Sequence, residues 1–337
     1  MPSARFTHAI ETGAFEVPAD ARVALIEPEA DADLSTLSDH TLSVQQTFKP
    51  RFDAFEARGF AVTEALGGTF DVLHVTLPRS RDLSRGFIAR AEALASDGIV
   101  VVDGAKTDGI DAILKAVKAR VPVEGQVSKA HGKLFWFRAT GAFAEWALPA
   151  PAPVADGWIT QPGVFSADGP DAGSQALVAA LPPKLKGHGA ELGAGWGFMA
   201  RALLALPGVT RVDLVEADKR ALECATQNIS DDRAILHWDD ATRWGTANTL
   251  DWVVMNPPFH TSRTPDTGLG QAFIRSAARL LKPKGQLLMV ANRHLPYEQT
   301  LSDSFLQVQE LNGDPRFKIL QADQPRTPAQ AGRGRRR

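Results

Sequence analysis

With a single cysteine in 337 residues, Cys224, the chain can form no intramolecular disulfide. Cys224 falls in a helical pattern over residues 219–228, where a core thiol is expected rather than a nucleophile. The eight histidines are scattered without metal-ligand spacing, so no metal centre is expected. No apolar run approaches the roughly 18 residues of a membrane span. Residues 1–8 carry no apolar stretch of the kind found in secretion signals. A cytoplasmic protein without membrane contact is therefore expected, with a monomer as the default. The net charge of −2 excludes a uniformly basic coat, so nucleic acid would have to be met by local patches.

What is present is the composition of a soluble globular chain, 44% hydrophobic and 23% charged, long enough for two domains. Residues 1–147 alternate apolar runs with helical patterns. Strands are expected at 22–26, 70–77 and 99–102, and helices at 49–58, 83–95 and 111–120. Strands separated by helices imply a parallel sheet with helices on its faces. The proline-laced stretch 148–156 reads as a stiff extended linker, residues 157–324 as a second α/β domain, and the Pro/Gly/Ala/Arg-rich tail 325–337 as disordered.

The two halves repeat one order of elements. The strand at 70–77, helix at 87–95, Asp97-Gly98 and strand at 99–102 mirror the strand from Leu250, the helix at 273–281, Lys284-Gly285 and the strand at 287–290. In this register Thr76 stands where Asn256 stands and Leu77 where Pro257 stands, and no glycine-rich turn follows the strand at 22–26. A duplicated fold whose first copy lacks the chemistry is expected. The alternative is two unrelated α/β units sharing a common supersecondary pattern.

In the second half, a buried strand at 252–255 runs into Asn256-Pro257-Pro258-Phe259, which can continue neither strand nor helix. Asn256 Oδ1 and the Pro257 carbonyl can accept the two hydrogens of an amino group, Pro257 and Pro258 fix the backbone, and Phe259 can stack on a planar ring. A proline-rich strand exit with no further role is the plainer reading. Upstream, Glu191 precedes a turn with Gly193, Gly195 and Gly197. This G-x-G-x-G spacing is not that of dinucleotide binders, and a carboxylate beside it would repel a pyrophosphate while suiting an ammonium or sulfonium. Glu216, at the end of the next strand, is placed to hold a ribose diol, with Asp218 as a helix cap. One strand later Asp240, preferred over Asp239, stands where an adenine amino group would lie. Singly each acid reads as a solvated loop residue. It is the order and spacing of the set that is specific.

The set resembles a Rossmann-like class I methyltransferase dependent on S-adenosylmethionine, across residues 163–316. Pro162-Gly-Val-Phe-Ser166, Asp171-Ala-Gly-Ser-Gln175, Asn256-Pro-Pro-Phe-His260 and Val290-Ala-Asn-Arg-His-Leu-Pro-Tyr297 are similar to the small-subunit ribosomal RNA guanine-N2 methyltransferases of the RsmC type and their large-subunit RlmG relatives. The resemblance implies two tandem Rossmann-like domains, the first degenerate and orienting RNA. It implies S-adenosylmethionine as cofactor and the exocyclic N2 of a guanine in ribosomal RNA, naked or in the small subunit, as target. Asn256, Pro257, Pro258 and Phe259 would hold and stack the base, and Phe165, Ser166, Asp171 and Asn256 would border the cofactor. Trp196 departs from the smaller residue usual there. His260 is a candidate base weighed against a structural histidine.

RNA contact would come from Arg79, Arg81, Arg85, Lys184, Lys186, Arg263, Arg293 and the arginines at 333 and 335–337, or these are ordinary surface. Adenine N6 or a protein glutamine amide are alternative acceptors of the same chemistry. A non-enzymatic RNA-binding or assembly factor is the alternative from another class, and a nicotinamide-dependent oxidoreductase is disfavoured by the glycine spacing.

Overall fold

The computed structural model describes residues 4–95, 97–258, 267–311 and 315–326. The chain forms two compact units: residues 1–150 with 161–163, and residues 151–160 with 164–337.

The first unit contains α1 (Ala4–Glu11), β1 (Arg22–Ile26), β2 (Thr41–Gln45), α2 (Lys49–Ala57), β3 (Val62–Thr63), β4 (Val72–Thr76), α3 (Arg81–Leu94), β5 (Ile99–Ala105), α4 (Ile110–Lys118), β6 (Gly125–Lys129) and β7 (Gly132–Arg138). The second opens with the short pair β8 (Ala152–Pro153) and β9 (Ile159–Thr160). It continues with α5 (Ala172–Ala179), β10 (Gly187–Leu192), α6 (Phe198–Leu204), β11 (Val209–Glu216), α7 (Lys219–Asn228), β12 (Ala234–Trp238) and β13 (Leu250–Met255). After these come α8 (Thr267–Leu280), β14 (Leu281–Asn292), α9 (Glu298–Ser304), β15 (Phe305–Leu311) and β16 (Phe317–Pro325). Part of the stretch expected to be a plain linker is thus a strand, Ala152–Pro153, paired antiparallel with Ile159–Thr160.

The sheets have strand orders β3-β2-β1-β4-β5-β7-β6 and β12-β11-β10-β13-β14-β16-β15, the same topology twice. Neither is wholly parallel. In each, the first five strands run parallel and the last two form an antiparallel hairpin against the fifth. The first hairpin turns at Ala130 and His131, with φ of 48° and 54°. That is the left-handed pair a tight hairpin needs, built without the Asn or Gly that would announce it.

The duplication extends to single residues. Ile26 pairs with Val75, and Leu192 pairs with Met255, each in the last register of its strand pair, so Thr76 and Asn256 occupy the same place. Glu27 N–H donates to Gln45 O at 2.9 Å, as Gly193 N–H does to Val215 O at 2.8 Å. Leu77 N–H donates to Asp103 O, a bond that Pro257, lacking the donor, cannot make. Two unrelated units would not share this register.

Strands β10 and β13 lie at the centre of the second sheet with both faces covered, as central parallel strands must be. Val253 and Met255 pack into the cluster beneath α8, while Trp252 and Val254 pack with α6 residues on the other face. Gly189 is required there, because a Cβ on it would lie 2.0 Å from the Trp252 ring.

Candidate functional site

The site lies where β10 and β13 end, at the carboxyl edge of the second sheet, where open α/β sheets place ligands. Gly193, Gly195 and Gly197 all have left-handed φ, at 73°, 55° and 91°, so the chain can turn sharply from β10 into α6. A Cβ on Gly195 would meet nothing within 4 Å, leaving its backbone open to a ligand.

Glu216 braces this turn. Its Oε2 accepts Gly195 N–H at 2.7 Å and its Oε1 accepts Asp218 N–H at 2.8 Å. Burial nevertheless pushes its pKa up to about 7. Glu191 is 1% exposed and its Oε2 has no hydrogen-bond partner. Burial first, and the nearby Glu216 carboxylate second, raise its pKa well above the usual carboxylate range. A buried acid with an orphaned oxygen beside a glycine turn fits a cationic ligand and rejects a phosphate.

Asn256, directly after β13, is fixed in orientation. Its Nδ2 donates to Asp171 Oδ2 at 3.0 Å and to Ser174 Oγ at 2.9 Å. The carboxylate can only accept, so the nitrogen end must face it and Oδ1 is presented as an acceptor. Asp171 is at the same time the N-cap of α5, accepting Ser174 N–H at 2.8 Å. Pro257 is buried and Pro258 exposed.

Phe165, Ser166, Asp171, Glu191, Gly193, Gly195 and Asn256 line one cleft, together with Ser174, Ala194, Trp196, Phe198 and Met199. Ser174 and Trp196 were missed as site residues. A signal existed for Ser174, which stands three residues after a helix-capping aspartate. Trp196 is accommodated by packing at a tilt against Trp158 and edge-on against Phe198, and its Nε1 donates to Phe165 O at 3.0 Å. Asp218 caps α7 as expected, accepting Arg220 N–H at 3.0 Å. Asp240 Oδ1 is occupied by Thr242 N–H and Oγ at 2.8 and 2.7 Å, and the residue does not line the cleft. Gly197 is the N-cap of α6. Phe259, His260, Arg263 and the arginines beyond 326 lie outside the described residues.

Of the candidate RNA contacts, Arg79, Arg81, Lys184 and Lys186 are exposed. Arg85 instead packs over Trp146 at 5.2 Å, and Arg293 is bound to Glu310 and Phe317 O. Among the described residues, no group of three or more histidine, cysteine or acidic side chains could hold a metal, and no helix could cross a membrane.

At the matching edge of the first unit, Leu25 stands for Glu191, Pro28 for Ala194, Gln46 for Glu216 and Thr76 for Asn256. Gln46 Oε1 accepts Phe48 N–H at 2.9 Å, as Glu216 Oε1 accepts Asp218 N–H. Its Nε2, however, donates to Pro28 O at 3.0 Å, so the turn is closed by its own carbonyl. Neither the buried acid nor the oriented amide is present.

Residues 157–321 match the model of the methyltransferase small domain. A ribosomal RNA small subunit methyltransferase C of Klebsiella pneumoniae is 34% identical over 161 residues, which cover 48% of this chain and 47% of that protein. A ribosomal RNA large subunit methyltransferase G of Pseudomonas fluorescens is 28% identical over 317 residues, covering 88% of this chain and 83% of that protein. The match to the first of these relatives thus spans about half its length, and that to the second most of it. A solved T. thermophilus 16S rRNA N2 methyltransferase, RsmC, in complex with AdoMet and guanosine, superposes with a TM-score of 0.75 at 23% identity, over 92% of this chain and 90% of that one. That likeness establishes the fold, two Rossmann-like methyltransferase-type units in tandem.

Proposed function

We propose that this chain, whose residues 157–321 form a methyltransferase small domain related to those of the RsmC and RlmG proteins, transfers a methyl group from S-adenosylmethionine to the exocyclic N2 of a guanine in ribosomal RNA, that of the small subunit first. The carrying observation is the Asn256 amide, whose hydrogens go to Asp171 and Ser174 so that Oδ1 faces an incoming amino group.

The residues of the cleft, with Glu216 and Asp240 beyond its lining, fit the cofactor. The orphaned Glu191 carboxylate suits a cationic amino-acid end, the glycine turn gives close backbone approach, and Glu216 at the end of β11 suits a ribose diol. Asp240 is retained as the adenine ligand. When bound, the cofactor supplies a methyl already activated on a sulfonium. The protein's work is then alignment and exclusion of water. Asn256 Oδ1 and the Pro257 carbonyl accept the two amino hydrogens and turn the nitrogen lone pair outward. Pro257 and Pro258 keep that acceptor pair rigid. The nitrogen attacks with its lone pair and sheds a proton afterwards, so no strong base is needed beforehand. The target base must first leave its stack, at a cost of a few kcal/mol.

The test is transfer of labelled methyl from S-adenosylmethionine to small subunits, large subunits and free ribosomal RNAs, with nucleoside analysis. Label in N2-methylguanosine, reduced about 100-fold by Asn256→Ala, is the expected result. Label in N6-methyladenosine or in protein overturns the target, and absence of label overturns the activity.

A further inference from the structure

Phe165 is 57% exposed, the most open of the large apolar side chains among the described residues. Its backbone is nonetheless tightly held. The Phe165 carbonyl accepts the Trp196 indole N–H, and Trp196 is 3% exposed. The next residue, Ser166, has φ of 52° and donates its Oγ to Gly169 O at 2.7 Å. The backbone that carries the ring is therefore held at the cleft while the ring's apolar surface stands uncovered, which forfeits the gain of burial unless a ligand covers it.

Its position selects the ligand. Phe165 borders the cleft that Asn256 borders, whereas Glu216 and Asp240, the acids assigned to ribose and adenine, do not. The cleft also holds Glu191, Gly193 and Gly195, which suit the aliphatic amino-acid end of the cofactor, so the planar group to be met by the ring there is the acceptor base rather than adenine. An amino group held by two acceptors in one plane still leaves its base free to tilt. A face contact removes that freedom and sets the lone pair's direction.

We propose that Phe165 is a stacking wall for the acceptor nucleobase, a substrate-positioning residue that acts beside Asn256. The inference rests on the nucleobase-methylating function proposed above. Stacking tolerates any base, so Phe165 fixes the plane while the amide and carbonyl acceptors select the amino group.

The test compares wild type with Phe165→Ala, Phe165→Leu and Phe165→Trp. The readouts are the AdoMet Kd by calorimetry, KM and kcat for the RNA substrate, and fluorescence of RNA carrying 2-aminopurine at the target position. Wild type should quench the 2-aminopurine. Phe165→Ala should lose the quench and raise the RNA KM roughly tenfold or more while the AdoMet Kd stays within about twofold. Phe165→Trp should restore both, and Phe165→Leu only part of the KM. An AdoMet Kd that weakens in step with KM would make Phe165 a cofactor wall and overturn the inference, as would an unchanged KM and quench. Wild-type protein that methylates no RNA would remove the functional reading and this inference with it, before any variant is compared.

Discussion

Asp171 Oδ2 receives both the Asn256 amide at 3.0 Å and the Ser174 N–H at 2.8 Å, so one carboxylate caps a helix and orients the acceptor amide. Asp171→Ala removes both. It should cost about 1 kcal/mol of stability through the lost cap and lower kcat by roughly tenfold or more as Asn256 turns. In Asp171→Asn the amide oxygen can stand in the place of Oδ2 and keep both bonds, so kcat and stability should fall far less than in Asp171→Ala. Thermal unfolding and steady-state kinetics on both variants check it, and a loss of kcat in Asp171→Asn as large as that in Asp171→Ala would contradict this account.

The Glu216 pKa, raised to about 7, makes its carboxylate partly protonated near neutrality. A ribose diol donates to the ionised form, so cofactor affinity should rise from about pH 6 to about pH 8. The sign for stability is opposite. A carboxyl whose folded pKa is raised contributes stability below the ordinary carboxylate range, and that contribution is lost as pH rises through about 7. Cofactor-free protein should thus melt at a lower temperature at the higher pH, and added S-adenosylmethionine should offset the loss. Glu216→Gln should flatten both trends, at a stability cost because one amide end then faces the Gly195 N–H. Calorimetric titration across this range checks it, and a flat wild-type Kd would refute it.

The two histidines His188 and His237 flank Asp213 on adjacent strands, with Nε2 atoms 2.5 and 2.8 Å from its two oxygens, and Arg211 adds a third contact at 2.7 Å. Burial alone would raise the Asp213 pKa, but the hydrogen bonds from His237, Arg211 and His188 hold it well below the usual range. A depressed acid gives stability above its unfolded pKa and loses it as pH falls below about 4. Asp213→Ala should therefore destabilise by about 2–3 kcal/mol near neutrality, with the difference from wild type shrinking in acid. Chemical denaturation at both ends of that window measures it.

Gly189→Ala should fail in the core rather than at the site. Its Cβ would overlap the Trp252 ring at 2.0 Å, and Trp252 is fully buried. Overpacking of this kind costs about 3 kcal/mol. Unfolding of the second unit, seen as early loss of the Trp252 near-ultraviolet signal, is the expected outcome.

Much of this was legible because apolar runs and breakers are local signals. Arg22–Ile26 is a strand to the residue, and Leu250–Met255 leads into Asn256 as its pattern implied. The register that aligns Thr76 with Asn256 could be read because both copies keep strand, helix, glycine and strand in one order. The hairpin of β6 and β7 could not, since Ala130 and His131 take left-handed angles that only tertiary contacts impose. The edge strand Val62–Thr63 and its neighbour Thr41–Gln45 carry too few apolar residues for periodicity to mark them. In the site, acids and glycines were visible by type and spacing. The Asp171–Asn256 bond joins residues 85 positions apart and has no trace in sequence.

The repeated turn has a consequence for spectroscopy. Gln46 and Glu216 each hold the amide two residues ahead, Phe48 N–H and Asp218 N–H, at 2.9 and 2.8 Å. Only the second acceptor changes charge with pH. The two amide resonances form an internal pair, one silent and one titrating. Their difference reports the ionisation of the cofactor-side carboxylate in the intact chain, without a variant and without a second sample for reference.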